Sequence, residues 1–212
     1  MPGPKAPQEA RREQIITAAY TVALRDGVDG VTLRAVAAEA KLSHGLVIFH
    51  FKQKEQLVAA LLDRVLMMTM REPPSAVMAL VSPADRIATL LQHEMGELFD
   101  DPRRMRLFFE YWALGARNRR MRGRISAALR RYRATFRSLM EGAVVAESQS
   151  DAIADALSAV AVSFVSGFAM QAIVDDEQFD ADGYKRAVAA IVQRIVPSPA
   201  PRVRAAARVR TQ

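Results

Sequence analysis

Between Thr32 and Lys54 the stretch TLRAVAAEAKLSHGLVIFHFKQK gathers hydroxyls, imidazoles and cations: Thr32, Arg34, Ser43, His44, His50 and Lys54. None of them forms a nucleophile–base pair. They are hydrogen-bond donors and positive charges, the chemistry of holding an anionic polymer. Cations and helix N-termini suit phosphates, which points to Thr32 and Lys54 as phosphate contacts. His44 can donate to a base edge or to a phosphate, and His50 belongs to the same short segment. The residues between them, Gly45, Leu46, Ile48 and Phe49, are apolar. Such side chains can still contact thymine methyl groups.

The second group is Phe108-Phe109-Glu110-Tyr111-Trp112, four aromatics in five residues. They cover most of a helix circumference, more than one core-facing stripe uses. Core packing with a dimer contact is one reading. The other is an effector pocket near Phe109, Trp112, Phe136 and Phe164, in which Glu110 beside Tyr111 and Trp112 would hold an organic cation by charge and aromatic faces. His93 and Glu97 stand i, i+4 and could share a metal ion, yet no third ligand is evident and a solvated charged face is the better reading. Cysteine is absent, which removes disulfides and thiolate sites. There is no glycine-rich phosphate loop and no motif around any serine, so neither catalysis nor a cofactor is expected.

These groups need helices to position them. Leu33, Val36, Ala37 and Ala40 recur at i, i+3, i+4 and i+7, one face of a helix capped by Thr32. Lys41-Leu42 makes a turn, and Ser43 caps a second short helix whose Val47 and Phe51 point inward with Leu42. That is the helix-turn-helix pattern, whose second helix enters the DNA major groove. A first helix over about Gln8 to Arg25 ends at Asp26-Gly27, where glycine supplies a left-handed cap. A fourth helix from Lys54 to about Met70 stops before Pro73-Pro74. Ser82 caps another helix, and Asp101-Pro102 starts the next. A long arginine-rich helix follows, and two more run over about Asp151–Val174 and Ala181–Val196. The predicted fold is all-α.

The segment ARREQIITAAYTVALRDGVDGVTLRAVAAEAKLSHGLVIFHFKQKEQLVAALL resembles the N-terminal domain of TetR-family transcriptional repressors. The likeness is carried by the Ile15–Ala18–Ala19 face, Gly27, Thr32, the Ala37–Ala40 helix, Leu42-Ser43, Gly45, Phe51 and Lys54-Glu55-Gln56-Leu57. It covers about the first quarter of the chain. Lys41 stands where the family usually has glycine, and must adopt the strained turn itself. Ile48 stands where a tyrosine is common, an absence shared with the BetI-like branch. The resemblance implies DNA contacts from Thr32, Arg34, Ser43, His44, Gly45, Leu46, Ile48, Phe49, His50 and Lys54, with Arg34 placed to read a guanine. It implies a homodimeric repressor released from a palindromic double-stranded operator by a small molecule. The rivals are a constitutive DNA-binding regulator or activator, and a helical small-molecule carrier.

The domains follow: residues 1–54 for DNA with a disordered arm, 55–196 for effector and dimerisation, and 197–212 a disordered basic tail. The net charge of +7 suits a polyanionic partner, but residues 103–137 alone carry +11, with twelve arginines against Glu110. Their helical spacing makes them exposed faces paired with the flanking acidic segments. Leu157, Val160, Phe164 and Phe168 form a stripe that, with Val188, Ile191 and Ile195, predicts a four-helix dimer interface. The apolar run 152–174 is interrupted by Asp155, Ser158, Ser163, Ser166 and Gln171. It reads as a buried helix rather than a membrane span, and the expected location is cytoplasmic.

Overall fold

The computed structural model describes residues 8–69, 72–140 and 150–196. The expected N-terminal arm and basic tail lie outside the described residues. Every regular element among those described is a helix: α1 (Gln8–Gly30), α2 (Leu33–Glu39), α3 (His44–His50), α4 (Lys54–Thr69), α5 (Ser75–Met78), α6 (Pro83–Asp100), α7 (Pro102–Arg117), α8 (Arg119–Leu139), α9 (Ser150–Val174) and α10 (Ala181–Ile195). The all-α reading holds. The one-turn α5 is additional to the sequence reading; it follows Pro73-Pro74 and is too short to show a period.

Side-chain caps start the helices where hydroxyls and carboxylates allow. Thr32 accepts from Ala35 N–H at 3.1 Å and Ser43 from Leu46 N–H at 3.2 Å. Ser82, Asp101, Asn118 and Asp180 do the same for α6, α7, α8 and α10. Each such cap stabilises a helix start by about 1 kcal/mol. The α1 run is interrupted at Gly27, whose φ of 72° is the left-handed region expected there. Lys41 also has a positive φ, 54°, and makes the α2–α3 turn with a side chain in place of glycine.

Two apolar cores follow. One joins α1 to α4 through Ile15, Ala19, Val22, Val36, Val47, Phe51, Leu57 and Leu61, and recruits Leu107, Phe108 and Tyr111 of α7 with Ile125 and Ala128 of α8. The other packs α6, α8, α9 and α10 through Leu91, Met95, Tyr132, Phe136, Phe168, Val188 and Val192. The first core therefore crosses the boundary at residue 54 and takes in α4 and the inner faces of α7 and α8. Helix α9 is long and apolar enough to cross a membrane by composition. Its Ala161, Val165, Phe168, Ala169 and Ala172 are instead buried in the second core.

Candidate nucleic-acid interface and regulatory cavity

Helix α3 is held from beneath and open above. Val47 and Phe51 are buried, and the Arg12 guanidinium lies 5.2 Å from the centre of the Phe51 ring, a cation–π contact that pins the start of α1 to the end of α3. Gln14 donates from Nε2 to the Ala40 carbonyl at 3.0 Å, closing the end of α2. On the other side Lys41, Ser43, His44, Gly45, Ile48 and Phe49 are exposed, with Leu46 and His50 half-buried. Ile48 is 41% and Phe49 70% exposed, so both apolar side chains stand in solvent. Phe49 and His50 touch edge to face at 5.3 Å. Thr32 and Arg34 are exposed beside them on α2. Lys54 is half-buried and donates from Nζ to the Asp29 carbonyl at 3.0 Å, which leaves donors on the same ammonium for a phosphate.

Helix α7 faces two ways. Its Tyr111 is buried and donates to the Val58 carbonyl of α4 at 3.1 Å; burial pushes that phenol well above its ordinary range, so it remains a donor. Its Glu110 accepts the Val28 N–H at 2.6 Å. Arg124 of α8 adds an ion pair to Asp63 of α4. Phe109 and Trp112 turn the other way, and Phe108 reaches that side from the first core. With Met105, Leu129, Tyr132, Val162 and Val165 they line a narrow apolar cavity with room for little more than one water.

Of the five residues expected at an effector pocket, Phe109 and Trp112 line this cavity. Glu110 does not: its carboxylate is engaged at Gly27-Val28, so the expected carboxylate beside the aromatics is absent. Phe136 is fully buried beneath, edge to face with Tyr132 at 5.2 Å. Phe164 lines a separate crevice with Ile87, Leu157, Val160 and Val192. Tyr132 was not foreseen; its hydroxyl donates to Glu94 Oε2 at 2.9 Å. Only the arrangement of α6 against α8 pairs them, and no local spacing in the sequence signals it. Burial raises the Glu94 pKa above the ordinary carboxylate value, against the hydrogen bond from Tyr132, which lowers it.

The expected dimer stripe splits. Val160, Ile191 and Ile195 are each 42% exposed, and Leu157 and Phe164 are half-buried. Phe168 and Val188 are corrected: both are buried within the chain. Phe168 packs against Phe179 and Tyr184 at 5.4 and 5.7 Å, because α9 is apolar around most of its circumference and that side meets α10. Ile153, Met170 and Val174 are exposed on α9 instead.

A capped helix-turn-helix with an outward second helix, packed on a larger helical domain, defines a DNA-binding regulator. The comparisons name the family. Residues 15–61 match the model of bacterial regulatory proteins of the tetR family, and residues 83–197 that of the BetI-type transcriptional repressor C-terminal domain. The chain belongs to the TetR family of transcriptional regulators, a family of non-enzymes. It is 30% identical over 176 residues to an HTH-type transcriptional regulator in the dhlA 5′ region of Xanthobacter autotrophicus, covering 82% of this chain and 85% of that one. Over 67 residues it is 40% identical to the nicotine-responsive transcriptional repressor HdnoR of Paenarthrobacter nicotinovorans, 32% of this chain and 34% of that protein. Among solved structures, a regulator from Saccharomonospora viridis in complex with choline aligns with a TM-score of 0.72 at 16% identity, over 91% of this chain and all of the other.

Proposed function

We propose that the protein is a homodimeric repressor that binds a near-palindromic operator through α3 and is released by a small molecule held at the α7–α8–α9 cavity. The observation that carries this reading is the two-faced α7. Phe109 and Trp112 line the cavity, while the neighbouring Glu110 and Tyr111 grip α1 and α4 of the DNA-binding unit. A molecule that entered beside Trp112 would displace α7, and with it both grips. Thr32, Arg34, Ser43, His44 and Lys54 would hold phosphates and base edges, and Gly45, Leu46, Ile48, Phe49 and His50 would lie in the groove. The exposed Val160, Ile191 and Ile195 fit a face shared between two copies, which would set two α3 helices on one duplex in the cytoplasm.

A second reading has an observation of its own. The cavity is nearly closed, which suits a regulator that binds its operator constitutively. Selection of bound genomic fragments followed by footprinting tests the first part. Two-fold protection over adjacent major grooves is expected, and no protected fragment would refute operator binding and leave a helical carrier. Calorimetry of an identified effector with and without operator tests the second part. Linkage requires the operator to weaken effector binding by the same factor as the effector weakens the operator, typically about 5- to 150-fold. Equal affinity in both titrations would favour the constitutive regulator.

A further inference from the structure

The names of two relatives, nicotine-responsive and choline-bound, point to nitrogenous cations, and so does the sequence reading of Glu110. The charges that line the site have the opposite sign. Beside the aromatic cavity lies an open groove of about 300 Å³, lined by Gly115, Ala116, Ile125 and Ser126 with Arg122 and Arg133. Trp112 and Leu129 line both hollows, so they form the partition between them. Neither lining contains a carboxylate. Glu110 is held by Val28 N–H, and Glu94 stands behind Tyr132 with its charge met by the tyrosine hydroxyl.

The two arginines differ in what they do. Arg122 donates from Nε to the Gly115 carbonyl at 3.2 Å and from a terminal nitrogen to the Ala116 carbonyl at 2.6 Å, closing the end of α7. Arg133 is half-buried and makes no hydrogen bond or ion pair to any described residue. Its guanidinium keeps five fixed donors, the geometry that receives a carboxylate on two parallel bonds. A cation in the groove would face two like charges. A neutral apolar molecule would cover the guanidinium and give it no acceptor, at a desolvation cost.

We propose that the two hollows are one site for an apolar carboxylate. The carboxylate sits on Arg133 in the groove, and the apolar body passes Trp112 and Leu129 into the aromatic cavity. The groove alone reaches the lower end of the range of small-molecule sites, roughly 300–1,000 Å³, and the aromatic cavity adds room once Trp112 moves aside. This rests on the effector reading above and fixes the charge of what is bound.

Trp112 is the single tryptophan of the chain, so its fluorescence reports this site alone. The test titrates the full chain with decanoate, decanol and decyltrimethylammonium, each below its micelle-forming concentration. Decanoate is expected to shift the emission saturably and to bind about tenfold or more tighter than decanol, the gain of a charge-assisted hydrogen-bonded pair, with the ammonium weakest. Arg133→Gln should bring decanoate to the level of decanol and leave decanol unchanged; Arg133→Lys should retain part of the preference. Equal or tighter binding of decanol or of the ammonium would overturn the proposal, as would no response to any of the three. Operator affinity measured in the same samples separates this from the release mechanism. Decanoate bound with the operator undisturbed supports the site and refutes release.

Discussion

The Glu110 carboxylate accepts the Val28 N–H at 2.6 Å, a hydrogen bond that joins α7 to the end of α1 across 82 residues of sequence. It forms where Gly27 holds a φ of 72°, and a Cβ built on Gly27 would lie 3.1 Å from both Glu110 oxygens. The turn and the carboxylate fit each other: glycine supplies both the backbone conformation and the close approach. Glu110 is thus bound to the DNA-binding unit, while its neighbours Phe109 and Trp112 line the cavity.

Replacing Glu110 with alanine should leave the Val28 N–H without its acceptor. A hydrogen bond to a charged group is worth about 1.5–3 kcal/mol, and the exposure of the carboxylate places this one at the lower end. Urea denaturation of Glu110→Ala should therefore show a loss of about 1.5 kcal/mol. A variant as stable as the parent would mean the joint contributes nothing to folding. If α7 transmits the signal as proposed, the same variant should bind operator but respond less to an effector.

Lys41 carries a φ of 54°, the left-handed conformation that costs a side-chain-bearing residue roughly 1–2 kcal/mol. Lys41→Gly should relieve part of that cost and raise stability by about 0.5–1 kcal/mol, net of the extra freedom glycine gives the unfolded chain. Thermal unfolding of the two proteins decides it; a lower midpoint for the glycine variant would show that the Lys41 side chain supports the turn.

Lys41 also illustrates what the sequence could reveal. Local rules give the positive φ at residue 27 and the caps at Thr32, Ser43 and Ser82, because each depends on a few adjacent residues; the strained turn at residue 41 follows from the family resemblance, in which glycine usually holds that position. They also put Val47 and Phe51 inside α3. The dimer stripe on α9 was legible only in part: an all-round apolar helix does not say which side meets its own domain, so Phe168 and Val188 were assigned to a partner although α10 and α6 bury them. Glu110 was misplaced for the same reason. Whether a carboxylate beside two aromatics faces a cavity or a backbone N–H 82 residues away is decided by the tertiary packing of α7, and no spacing encodes it.

Glu94 gives a pH dependence with a definite sign. Burial raises its pKa above the ordinary value, so the folded chain holds this proton more tightly than the unfolded one. Its contribution favours folding below the ordinary carboxylate pKa. As pH rises through that value the unfolded chain ionises first, and stability declines until the folded carboxyl ionises as well. Glu94→Gln removes the titration and keeps an acceptor for the Tyr132 hydroxyl. Denaturation between acid and neutral pH should show a shallower decline for the variant than for the parent; parallel curves would mean that the Tyr132 hydrogen bond already holds the carboxyl at its ordinary pKa.

The outward face of α3 makes the last prediction. His44 and His50 are its only polar side chains, while Ile48 and Phe49 stand 41% and 70% exposed. Charged side chains lie around it, Arg34 on α2 and Lys41 and Lys52 on either flank, all exposed. If α3 is the recognition helix, Ile48 and Phe49 add discrimination by apolar contact to whatever His44 and Arg34 read, and the one apolar group a base edge offers in the major groove is the thymine 5-methyl. Operator in which uracil replaces thymine loses that methyl and keeps every hydrogen-bonding group. Burying a methyl is worth about 0.8 kcal/mol, so uracil at each contacted position should weaken binding by roughly fourfold. The salt dependence, set by the phosphates, should stay the same. Phe49→Ala should bind thymine operator more weakly and lose most of the distinction between thymine and uracil at the position it touches. An undiminished difference in Phe49→Ala and in Ile48→Ala, measured by fluorescence anisotropy, would show that the methyl acts through DNA shape rather than through these two side chains.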